Sequence, residues 1–146
     1  MNRIVVALLV LLAGCASEPR PPISAALSDL EAALARAVQV SSITDKPVRT
    51  PGNWPCGLGE GEAFQLEFTA PARDPRASVV AVVELWRREG LTVQVDQSRH
   101  PDLPEVIVRG RLIEMSIYGF PDRGTVWIAG NTACLDGEVP AAWRDV

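Results

Sequence analysis

The stretch that most constrains this chain is the helix signal between Asp74 and Gly90. Asp74 is a good N-cap, Pro75 suits the first helical position and Gly90 suits the stop. Val79, Val82, Val83 and Trp86 recur at helical spacing and predict the buried face. Glu84 and Arg88 make an i,i+4 pair on the other side, worth only a few tenths of a kcal/mol. Alternating segments flank this helix. Phe64, Leu66 and Phe68 alternate with Gln65, Glu67 and Thr69, and Leu91, Val93 and Val95 alternate beyond Gly90. Two strands joined by a crossover helix run parallel within a sheet. Earlier in the chain, Leu27, Leu30, Leu34 and Val38 form the stripe of another amphipathic helix over residues 24–40. It starts at Ser24 or at Ser28, where Glu31 completes a capping box. The segment "SSITDKPVRTPGNWPCGLGEGE" is rich in breakers and reads as a loop.

The N-terminus has a different character. Arg3 precedes an unbroken apolar run from Ile4 to Ala13. At ~1.5 Å per residue this run is too short for a ~30 Å hydrocarbon core. A basic start, a short apolar stretch and small residues describe a secretory signal. Leu12-Ala13-Gly14-Cys15 resembles the lipobox of bacterial lipoproteins. The resemblance implies cleavage before Cys15 and a diacylglycerol on its thiol. The alternative is a plain signal peptide with an incidental cysteine. A buried methylene contributes ~0.8 kcal/mol, and two or more acyl chains anchor stably. The expected organisation is a signal peptide over 1–14, a lipidated cysteine and proline-rich tether over 15–23, and one extracytoplasmic domain over 24–146.

Composition narrows the partners. There are 14 Lys and Arg against 18 Asp and Glu. Loss of Arg3 with the signal leaves 13 against 18, a net charge of −5. That argues against nucleic acid and against a polybasic membrane contact, both of which need clustered positive charge. Apolar residues make up 47% of the chain, enough for a core even without the signal. Three cysteines leave an odd one over. With Cys15 given to lipid, as the lipobox implies, Cys56 and Cys134 are expected to pair outside the cytoplasm.

That pairing bears on the ambiguous segment 105–120. A bridge needs Cα atoms within ~7 Å. If 105–120 is one strand, the last strand, "TVWIAG", carries Cys134 to the far end of the sheet from Cys56. If it is two strands, with a hairpin at Gly110-Arg111, both cysteines meet at one end. The expected fold is therefore α+β: an N-terminal helix, then β-α-β-β-β-β. Its mainly antiparallel sheet is packed by two helices and closed by a Cys56–Cys134 disulfide.

Signals for chemistry are sparse. His100, in "QSRHPDLP", is the one histidine, no serine sits in a nucleophile elbow, and a solvated loop is its expected place. "CGLGEGE" lacks the Gly-Lys-Ser/Thr of a phosphate loop. Glu60 and Glu62 could serve as an acid–base pair, but an exposed acidic loop is the far commoner arrangement. Cys56, Cys134 and His100 could supply zinc ligands, yet lack a fourth partner and tight spacing. Trp127 reads as a strand residue of the core, and Trp54 and Trp143 as a seal over the disulfide end. No catalytic residue, cofactor or metal is assigned.

The lipobox, Cys56 ahead of the first strand and "AGNTAC" closing the last resemble the small lipoproteins of actinobacteria. The resemblance implies a membrane-anchored, extracytoplasmic domain and carries over no activity. The expected function is a non-catalytic binding module for an envelope protein or a small molecule, with no nucleic-acid partner. The alternative is a small-molecule or envelope-glycan carrier with a pocket between helix and sheet, and a third is a hydrolase using His100. A cavity between the layers would favour the carrier, and a packed sheet with an exposed patch a protein partner.

Overall fold

The computed structural model describes residues 21–56 and 61–144. Cys15 and Glu60 lie outside them. The elements run α1 (Ile23–Val40), β1 (Val48–Pro55), β2 (Glu62–Pro71), α2 (Pro75–Arg88), β3 (Thr92–Gln97), β4 (Glu105–Arg109), β5 (Ile113–Phe120), β6 (Thr125–Thr132) and α3 (Ala141–Arg144). One six-stranded sheet takes the order β1-β2-β6-β5-β4-β3, with every neighbouring pair antiparallel. The α+β class and the crossover are as expected: β2 and β3 point the same way from opposite halves of the sheet.

β2 to β6 are the five expected strands, and the sheet has a sixth. β1 forms inside the breaker-rich segment and pairs with β2 from Val48↔Thr69 to Pro55↔Glu62. An edge strand needs ladder bonds on one side only, so Pro51 and Pro55 do not break it. Three further corrections are local. Gly110 N–H donates to the Ile113 carbonyl at 2.8 Å, so the β4–β5 turn sits at Arg111-Leu112, one residue later than expected. A bulge between Val93 and Val95 turns Val95 to the opposite face, across from Ile107. Glu84 pairs with Arg87 at 2.9 Å rather than with Arg88.

α2 begins as its sequence predicts. Asp74 accepts from Ala77 N–H at 3.0 Å, Pro75 occupies the first turn, and Gly90 takes a positive φ of 79°. α1 starts at Ile23 after Pro22, with no side-chain cap, so the Ser28–Glu31 box is not its start. Ser42 and Ser78 tie the exit of α1 to the start of α2. Ser78 Oγ donates to Asp74 O at 2.9 Å and accepts from Ser42 N–H at 3.0 Å.

All three helices pack on one face of the sheet. A Cβ on Gly130 of β6 would collide with Leu30 of α1, and one on Gly119 of β5 would lie 2.9 Å from Pro75 O at the start of α2. Trp143 of α3 meets Phe64 of β2 edge-on, with ring centroids 5.6 Å apart. The layer between helices and sheet is filled. Leu27, Leu30, Leu34, Phe64, Leu66, Trp86, Met115, Ile117 and Ile128 are all fully buried there. Among the described residues, the Trp86 indole N–H has no acceptor in this layer. Among the described residues, no helix is long and apolar enough to cross a membrane.

Cys56 and Cys134 are bonded, with Cα atoms 5.9 Å apart. β6 runs back toward the start of β2, which brings the two thiols to one end. The same end is pinned by the paired backbone bonds of Glu62 and Leu135, 3.1 and 3.2 Å.

Candidate functional site

With the helices on one side, the other face of the sheet is uncovered among the described residues. Strand register sorts its side chains into rows, three of which cross all six strands. The first holds Gly52, Gln65, Asn131, Glu114, Arg109 and Thr92. The second holds Thr50, Glu67, Ala129, Ser116, Ile107 and Val95, and the third Val48, Thr69, Trp127, Tyr118, Glu105 and Gln97. Small residues, Ala129 and Ser116, occupy the centre. Ala129 is buried beneath its neighbours on this face.

The aromatic pair is held in place. Trp127 and Tyr118 are direct cross-strand neighbours, with ring centroids 5.2 Å apart and planes tilted by 51°. Trp127 Nε1 donates to Glu67 Oε2 at 3.2 Å, and Gln65 Nε2 donates to Glu67 Oε1. Tyr118 donates its hydroxyl proton to Glu105. That hydrogen bond, with partial burial and the carboxylate charge, pushes the phenol up to about 12. Arg109 reaches Glu114 through two nitrogens, 3.1 and 2.6 Å from Oε2. Arg109, Glu114 and Asn131 border an open depression of about 440 Å³ behind the β4–β5 turn. Asn131 Oδ1 is buried there without a hydrogen-bond partner.

Both sheet edges are blunted. β1 carries Pro51 and Pro55, and β3 carries the bulge at Val93/Val95. Proline and bulges on edge strands oppose strand addition, so the face rather than the edges is the available surface.

The residues singled out in the sequence do not converge. The thiols of Cys56 and Cys134 are consumed in the disulfide. His100 lies in the exposed β3–β4 loop, where Nδ1 accepts from the amides of Asp102 and Leu103 at 3.3 and 3.1 Å. It borders a groove that also holds Asp96 and Arg87. Asp96 accepts from the hydroxyl and amide of Ser98 at 2.6 and 3.0 Å. These bonds, aided by Arg87, hold its carboxyl below the usual range. Glu62 accepts from Val139 N–H at 2.6 Å and fastens the C-terminal segment. Among the described residues, no three His, Cys, Asp or Glu side chains gather as metal ligands do.

Trp143 packs edge-on against Phe64 and under the Arg49 guanidinium at 5.7 Å, and the Trp54 side chain lies outside the described residues. Trp127 is not a core residue; it stands on the uncovered face. Tyr118, Glu67 and Glu105 went unrecognised in the sequence. Their signal was the shared parity of Tyr118 and Trp127 on adjacent strands, readable only once the register is known.

The molecule is thus an α+β sheet protein with one face covered by helices and the other bearing a fixed aromatic pair. Comparison with protein-family models, with curated proteins and with solved structures finds no match.

Proposed function

We propose that the protein is a lipid-anchored binding module on the extracytoplasmic side of the cell membrane, attached through Cys15, and that the sheet face around Tyr118 and Trp127 docks a protein partner. The observation that carries this reading is the hydrogen-bonded Tyr118–Trp127 pair on the uncovered face. Aromatic anchors fixed before binding lose little side-chain entropy, and such residues dominate interface energies. A filled helix–sheet layer supports a surface reading over a carrier with a pocket between the layers. The reading assigns no catalytic step, since His100 Nδ1 is engaged by its own loop.

Two variants test the two halves. Cys15→Ser should move the protein from the detergent phase to the aqueous phase; equal partitioning of mutant and wild type would remove the anchor. A Tyr118→Ser/Trp127→Ser variant should keep its membrane partitioning and its protein level but fail to complement a deletion strain. Full complementation would remove the docking face.

A further inference from the structure

We propose that the uncovered sheet face recognises an arginine- or lysine-bearing segment of its protein partner, with the cation seated on Trp127 and Tyr118 between Glu67 and Glu105. This rests on the docking face proposed above and adds its chemistry.

The charge pattern argues for a cation. The aromatic row and the row of Glu67 carry two carboxylates, Glu67 and Glu105, and no cationic side chain. In the first row, Arg109 is held on Glu114. Both central carboxylates already accept the N–H or O–H of an aromatic ring, which fixes rings and charges together. A guanidinium or ammonium over such rings gains the cation–π attraction and the carboxylate field at once. The fold makes this contact from its own residues: Arg123 lies 5.5 Å over the ring of Phe120, two residues beyond Tyr118 on the same face, and Arg49 over Trp143.

The size of the face argues for a segment. Six strands ~4.8 Å apart, read over roughly six residues of strand, expose about 500 Å². A stable interface between folded partners needs ~800 Å² on each side. The face suits a short chain crossing the strands better than a second copy of this protein, which would also set like net charges together.

The test uses the ¹⁵N-labelled full chain in neutral detergent and follows the Trp127 indole N–H by NMR. The probes are an acetylated Gly-Arg-Gly-Arg-Gly peptide and the same peptide with citrulline for arginine, which keeps shape but removes charge. The arginine peptide should shift the Trp127 signal saturably, and citrulline should weaken binding at least tenfold. Glu67→Gln/Glu105→Gln should weaken the arginine peptide by a similar factor, and binding should fall as salt rises. Equal binding of both peptides would overturn the proposal, as would an unaffected double variant. A response to cellopentaose but not to arginine would reassign the face to a glycan, and a concentration-dependent shift without peptide to a second copy; either overturns it. The arginine comparison on wild type needs no variant to fold. If it fails while Tyr118→Ser/Trp127→Ser still abolishes complementation, the cation is wrong and the docking face stands.

Discussion

Tyr118 is the one tyrosine of the chain, so its ionisation can be followed without interference. Its folded pKa, about 12, lies above the ordinary value of 10.0 because Glu105 accepts its proton in a hydrogen bond. The fold therefore favours the protonated phenol. Its contribution to stability is fully present below pH ~10 and is lost as pH rises through ~12. A tyrosinate absorbance titration should give a midpoint near 12, moving toward 10 in Glu105→Gln. A wild-type midpoint at 10 would mean that the Glu105 bond does not form. At this scale the sequence was partly legible. Alternation marks Trp127 as a strand residue, but it assigns a parity without saying which parity the helices cover. Helix packing decides that, and it placed Trp127 outside.

At the scale of elements, α2 was legible at both ends, because Asp74, Pro75 and Gly90 each act through local backbone chemistry. β1 was not. Its prolines argue against a strand, and only the presence of β2 beside it, with nothing beyond, makes them acceptable. The bulge in β3 and the one-residue shift of the β4–β5 turn are likewise set by register between strands. Close approach of elements yields a prediction of its own. At Gly119 an added methyl meets the Pro75 backbone carbonyl and the Pro104 ring, both at 2.9 Å. Backbone cannot rotate aside as a flexible side chain can. Gly119→Ala should therefore lower stability by about 1–3 kcal/mol in urea unfolding, as overpacking does. Gly52→Ala on the edge strand, where nothing lies within 4 Å, should stay within ~0.5 kcal/mol. Equal effects at the two sites would contradict the tight seating of α2 on β5.

At the scale of the whole molecule, the direction of the strands was the most legible feature. Counting reversals from the crossover leads the last strand back to Cys56, and the bonded cysteines lie 5.9 Å apart at Cα. Adding β1 changed the strand number without changing that count, because β1 precedes both cysteines' strands. The identity of the uncovered face was illegible, since it depends on three helices choosing one side. In Cys15→Ser, a denaturing thiol titration should find no reactive thiol before reductant and two after it. Reduction should lower stability by up to roughly 4–5 kcal/mol, the chain-entropy value for a loop of this size, and by less if the reduced chain stays compact. Two thiols before reductant would remove the bridge.

The bond also makes part of the chain a closed ring. It encloses everything from Cys56 to Cys134, which includes β2, α2 and β3 to β6, while α1, β1 and α3 are tails outside it. A peptide bond cut within the ring, as in the exposed loop that carries His100, opens the circle without separating its pieces. The tail that leads to Cys15 stays covalently joined to every strand of the sheet, so with the proposed anchor at Cys15 a single proteolytic nick there would shed nothing from the membrane.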